Sequence, residues 1–174
     1  MLSLCAGDGR DLIGVLERHP RRQDAHARLI ELDPDLVAAG NRRIDQLGLQ
    51  GVSFLHADAG RTATYDSCRD LHLVLACGIF GNVSDEDIRT TILGLSVLLA
   101  AGGSAIWTRH RLAPDLTHSI REWFATTGFD ETAFVEVPDS SASVGVNRLV
   151  EKDPAGSLPA RLFAFVGDGA GGMS

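Results

Sequence analysis

Several classes of protein are set aside by what this chain lacks. No stretch reaches the ~18 uncharged apolar residues that a membrane span needs. The longest apolar stretches, such as Leu71 to Phe80, are strand-sized. Cysteine is scarce and odd in number. Cys5, Cys68 and Cys77 form no CxxC pair and no His/Cys cluster with zinc spacing, so neither a disulfide framework nor a metal site is expected. Unpaired thiols suit a reducing, cytoplasmic setting. Positive charge is also short: 16 Lys and Arg face 23 Asp and Glu, a net charge of −7. Gripping a nucleic-acid backbone requires a basic face, so nucleic acid is not an expected partner. The cluster of Arg18, His19, Arg21 and Arg22 beside Pro20 reads as a solvated helix end. The first residues carry no basic n-region, and Gly7 to Asp11 interrupts any apolar core, so no secretory leader is expected.

What is present is ordinary for a globular domain. The 174 residues are 44% apolar and 22% charged, enough for one core without staples. A single domain is expected over residues 1–166, with a disordered Gly-rich tail over 167–174. Strand-like and helix-like patterns alternate along it. Strands are predicted at Leu2 to Cys5, Ala27 to Leu32, Val52 to Ala57, Leu71 to Ala76 and Ser104 to Thr108. Helical spacing follows at Arg10 to Arg18, stopped by Pro20. A second helix opens at Asp33-Pro34, an N-cap followed by proline at the first position, and ends at Gly48. A third is capped by Ser84 with Asp87 as its capping partner and ends at Gly102-Gly103. A fourth opens at Pro114 and closes at Gly128. After Phe129 the runs Thr132 to Val137 and Ser143 to Val150 are too close for a crossover helix, so they pair antiparallel. Arg161 to Val166 is a candidate edge strand. The whole predicts an α/β, Rossmann-like doubly wound sheet, mostly parallel with an antiparallel C-terminal strand pair.

In such sheets ligands bind beyond the carboxyl ends of the strands. The first such loop, Cys5-Ala6-Gly7-Asp8-Gly9-Arg10, lets backbone approach a ligand and leaves amides free for an anionic group. As a dinucleotide fingerprint it is poor, because the third glycine position is Leu12. Glu31 and Asp33 end the second strand, where a carboxylate can accept from vicinal ribose hydroxyls. Asp33 is also the helix N-cap, and the two roles compete for the same oxygens. Asp58, after the third strand, can accept from an adenine amino group or be an exposed turn acid.

These segments in order resemble the successive motifs of class I S-adenosylmethionine-dependent methyltransferases. The resemblance rests on Leu2 to Asp11, Ile30 to Pro34 and His56-Ala57-Asp58. Cys77 to Asp85 and Trp107 to His110 resemble a poorly characterised bacterial branch of that superfamily. It runs from Met1 to about Val150. It implies S-adenosylmethionine as cofactor, with Ala6, Gly7 and Gly9 against its methionine part. Cys5 and Asp8 complete that loop. Asp33, alone or with Glu31, would hold the ribose, Asp58 and Ala59 would meet the adenine, and Cys77 and Gly78 would line the methyl-donor end. Two departures stand out. Ser3 and Cys5 replace the usual acid and first glycine, and the sequence starts at the first strand itself, where family members usually carry preceding helices.

The expected activity is methyl transfer to a small-molecule acceptor. His110, after the fifth strand, is the candidate general base, against a reading as a surface histidine in the Arg109-His110-Arg111 trio. Arg109 and Arg111 are either acceptor-binding or solvent-exposed. Asn82 could orient an acceptor or cap the turn before Ser84. The alternatives are a non-catalytic cofactor-binding domain and, less favoured, a nicotinamide-dependent oxidoreductase. A sheet face left uncovered would favour a homodimer.

Overall fold

The structure is a computed structural model that describes residues 1–65, 67–152 and 155–166. The expected tail over 167–174 lies outside them. Its contacts divide into two compact units, Met1–Ala59 and a second from Gly60 onward.

The first unit contains β1 (Leu2–Leu4), α1 (Arg10–Leu16), β2 (Ala27–Glu31), α2 (Pro34–Leu47) and β3 (Val52–His56). Its strands lie in the order β3-β2-β1 and are all parallel. Leu4 pairs with Ile30, and Glu31 with His56, so these three strands end at one edge. Leu2, Leu4, Ile13, Leu29 and Ile30 are fully buried. The start of α2 follows the sequence signal closely. Asp33 caps it by accepting from the amides of Asp35 and Leu36, Pro34 takes the first turn, and Gly48 closes the helix in the left-handed conformation.

The second unit contains β4 (Leu71–Ala76), α3 (Asp85–Leu98), β5 (Leu99–His110), α4 (Thr117–Thr126), β6 (Phe129–Glu136) and β7 (Ala142–Leu149). The order is β4-β5-β7-β6, with β4 parallel to β5 and the last two pairings antiparallel. The α/β class and the antiparallel C-terminal pair are therefore as the pattern predicts. An aromatic cluster fills this core. Trp107 stacks on Phe124 with centroids 5.9 Å apart, and Phe129 meets Phe124 edge-on at 5.1 Å. The Trp107 indole donates to Asn147 Oδ1 at 2.8 Å, which satisfies its buried N–H.

Four expectations of the second unit are corrected. Gly102-Gly103 does not end α3. The helix stops at Leu98 because Leu99 already pairs with Leu71, and β5 runs twelve residues. The glycines sit in the register shift that follows, where Leu73 pairs with Ser104. A Cβ on Gly103 would lie 2.6 Å from the Leu71 carbonyl. Pro114 does not open α4. The helix starts at Thr117, whose amide and hydroxyl both donate to Asp115 Oδ1. Arg161 to Val166 is not a strand but makes two isolated bridges, Arg61 to Arg161 and Val83 to Phe165. Finally, Ser84 caps α3 through the Asp87 amide, but the Asp87 carboxylate accepts from the Ala164 amide at 3.3 Å rather than completing a reciprocal box.

Candidate functional site

In the first unit the β1–α1 turn begins at Cys5, whose φ of +52° is left-handed without being glycine. The Ala6 amide donates to the Ile30 carbonyl at 2.9 Å, which fixes the turn against β2. The Gly7 amide donates to Glu31 Oε2 at 2.8 Å. The other oxygen of Glu31 accepts from the amides of Leu32 and Asp33 at 2.8 and 2.9 Å. One carboxylate thus ties the glycine turn to the β2–α2 turn. His56 adds to this edge by donating from Nε2 to the Leu32 carbonyl at 2.8 Å.

Gly7 and Gly9 are not equivalent. A Cβ on Gly9 would lie 2.8 Å from Ile13 and Leu29 side chains and 2.9 Å from Phe54, whereas one on Gly7 would meet nothing within 4 Å. Gly9 is required by the core beneath the turn, while Gly7 faces open space. Asp8 is half-exposed and pairs with Arg10 at 2.9 Å. Hydrogen bonds from Arg10 hold its carboxyl below the usual range. The Cys5 thiol is pushed up from its ordinary 9.0 to about 12, first by burial and then by the negative charges of Glu31 and Asp58. Both carboxylates therefore lie near the Cys5 end of the turn. Asp58 follows β3, and Ala59 beside it is buried. Asp33 spends Oδ1 on the two cap bonds.

In the second unit Cys77 and Gly78 follow β4. The Gly78 amide donates to the Thr108 hydroxyl at 2.8 Å, and its carbonyl accepts from Asn82 Nδ2 at 2.9 Å. Gly78, Gly81, Asn82, Thr108 and His110 line a cleft of about 160 Å³ at the carboxyl ends of β4 and β5. The basic trio is not a solvated patch. Arg109 is 8% exposed and donates to the Phe80 and Pro114 carbonyls. Burial depresses its pKa. Arg111 donates to the Ala142 and Ser140 carbonyls at 2.9 and 3.0 Å, holding the β6–β7 hairpin. His110 is half-buried beside Gly81. Thr108 and Gly81 had no role in the sequence reading. The signal for Thr108 was its i, i+2 relation to His110, which puts both on one face of β5.

No family model matches the chain, and no curated protein is significantly similar to it. Solved structures are similar in fold. An O-methyltransferase family protein from Burkholderia thailandensis superposes with a TM-score of 0.70 at 16% identity, over 87% of this chain and 51% of that one. A proposed O-methyltransferase from Nostoc punctiforme PCC 73102 gives 0.69 at 16% identity, over 84% and 50%. The chain has the class I methyltransferase fold. A third protein with this fold is the magnesium protoporphyrin IX methyltransferase of Synechocystis PCC 6803, solved with bound S-adenosylmethionine. It superposes at 0.66 with 12% identity, over 84% and 68%. The chain spans about half the length of the first two methyltransferase-fold proteins. Among the described residues no helix is long and apolar enough to cross a membrane, and no group of three or more His, Cys, Asp or Glu could hold a metal ion.

Proposed function

We propose that this chain is a methyltransferase domain that binds S-adenosylmethionine and acts on a small-molecule acceptor. The observation that carries the reading is the Glu31 carboxylate at the end of β2, braced against the open glycine turn. The residues fit the cofactor. Gly7 leaves open space where any other residue would project a side chain. Glu31 has one acceptor site left for a ribose hydroxyl, on Oε2, because a carboxylate has about four such sites and three are taken here. Asp58 and Ala59 are proposed to meet the adenine, with Ala6 and Gly7 against the methionine part. Cys77 and Gly78 are proposed to line the methyl-donor end. Asp33 is better suited to capping α2 than to the ribose, and Gly9 to packing than to the ligand.

When bound, the cofactor supplies an electrophilic methyl group on a sulfonium. The chain's own task is to hold an acceptor aligned with it, and such positioning can lower a barrier by ~7–11 kcal/mol. The nicotinamide alternative gains no support, since Leu12 at the third glycine position is buried in the core.

The test is a calorimetric titration with S-adenosylhomocysteine. Binding by the wild-type chain, weakened in Glu31→Gln, supports the reading. Absence of binding by a folded wild-type chain sinks it. Turnover of labelled S-adenosylmethionine with a panel of small acceptors then separates an enzyme from a non-catalytic binding domain.

A further inference from the structure

Thr108 and His110 border the cleft from β5, and Gly78, Gly81 and Asn82 border it from the β4–α3 connection. Pockets that enclose a whole small molecule start at ~300 Å³. A cleft of about 160 Å³ holds one end of a ligand. Its polar groups can be counted. The Thr108 hydroxyl accepts from the Gly78 amide, so its own proton is left for another acceptor. Asn82 spends Nδ2 on the Gly78 carbonyl. No Asp or Glu is among the lining residues. Arg109 lies between Thr108 and His110 on β5, with its guanidinium held by the Phe80 and Pro114 carbonyls.

The tautomer of His110 decides what the cleft can recognise. Its Nδ1 is fully buried, and no described group bonds to it. A histidine that takes a proton through Nε2 carries its own proton on Nδ1, held by an acceptor that fixes that tautomer. Here a proton on Nδ1 would be buried without an acceptor among the described residues, and an unsatisfied buried donor bears its full desolvation penalty. The Nε2 side lies towards Gly81. A Cβ there would come within 3.4 Å of Nε2 and 3.2 Å of Cδ2, so only glycine leaves that edge of the ring open. The neutral ring therefore keeps its proton on Nε2.

We infer that this cleft is a subsite for a carboxylate on the acceptor. The Nε2–H of His110 and the hydroxyl of Thr108 serve as its donors. His110 then binds and orients the acceptor and does not remove its proton. As an acceptor subsite this rests on the methyl-transfer reading, but the carboxylate binding itself does not.

The test uses the ¹⁵N-labelled chain and long-range imidazole correlation spectra, with His110 assigned by the loss of its signals in His110→Asn. Benzoate is titrated as the probe and benzyl alcohol as its neutral match, with and without excess S-adenosylhomocysteine. The expected result is a neutral His110 protonated on Nε2. Benzoate should move its Nε2 resonance saturably in both conditions, while benzyl alcohol should not. Gly81→Ala should weaken benzoate about tenfold or more, the loss of a hydrogen bond to a charged group. A neutral ring protonated on Nδ1 would overturn the inference. So would benzoate that leaves His110 unmoved, or benzoate that competes with S-adenosylhomocysteine, since the site would then belong to the cofactor's own carboxylate. Failure of S-adenosylhomocysteine to bind would sink the methyl-transfer reading alone, because the benzoate arm without it still reports on the cleft.

Discussion

The Glu31 carboxylate receives the Gly7 amide across 24 residues of chain, at 2.8 Å. Glu31→Gln keeps the shape but loses the charge. A charge-assisted bond of this kind is worth ~1.5–3 kcal/mol, so the affinity for S-adenosylhomocysteine should fall by about tenfold to a hundredfold. Asp33→Asn retains a good N-cap and should leave that affinity within about twofold. Calorimetry on both variants, with circular dichroism as a check on folding, separates them. A reversed pattern would return the ribose to Asp33.

Cys5 should be chemically quiet. With its pKa near 12, about one thiol in ten thousand is ionised at pH 8, and the thiolate is the reactive form. Iodoacetamide should leave Cys5 unmodified in the folded chain at pH 8, as read by peptide mass spectrometry. The same shift has a stability sign. The folded state holds its proton more tightly than the unfolded chain, so the contribution is fully present below pH 9.0 and lost as pH rises towards about 12. Urea unfolding of wild type and Cys5→Gly across that window should show a steeper loss in the wild type. At neutral pH Cys5→Gly should be more stable by ~0.5–1 kcal/mol, the excess of left-handed strain over the entropy cost of glycine.

Gly9→Ala and Gly7→Ala should fail differently. The first adds left-handed strain at φ +75° and presses on Ile13, Leu29 and Phe54. It should cost ~2–4 kcal/mol in denaturant unfolding. The second adds only the strain, ~1–2 kcal/mol, but fills the open side of the turn. It should fold and bind S-adenosylhomocysteine poorly. Normal binding by folded Gly7→Ala would mean that the ligand does not approach there.

Arg109→Lys should behave as a structural lesion. The fork of Arg109 reaches the Phe80 and Pro114 carbonyls together, and a single ammonium cannot satisfy both. A loss of ~1–2 kcal/mol in thermal unfolding is expected. Unchanged stability would free Arg109 for a role towards a ligand.

Much of this arrangement is legible where a local rule coincides with the tertiary one. Asp33-Pro34 and Ser84 signal helix starts because a cap bond involves only neighbouring amides, and those starts are where the structure has them. The strands of the first unit are likewise marked by short apolar runs between turns. The signal fails where a distant partner decides. Gly102-Gly103 looks like a helix end, yet the pairing of Leu99 with Leu71 claims the chain first. Pro114 looks like a helix start, but Asp115 draws the first turn to Thr117. In the candidate site, the acids at the strand ends are visible from spacing. The division of labour between Glu31 and Asp33 is not, because it depends on a contact with Gly7 that spacing cannot reveal. His110 is visible as a residue type. Its orientation against Gly81, and the burial of its Nδ1, belong to packing alone.

The three amide bonds that Glu31 accepts have a dynamic consequence. Gly7, Leu32 and Asp33 lie in two different turns, yet their amide protons end on one side chain. When that side chain swings out, all three are released at once. Their hydrogen exchange should therefore share one opening free energy, although the turns are far apart in the chain. The edge of the first unit would breathe as one piece, with Glu31 as its latch.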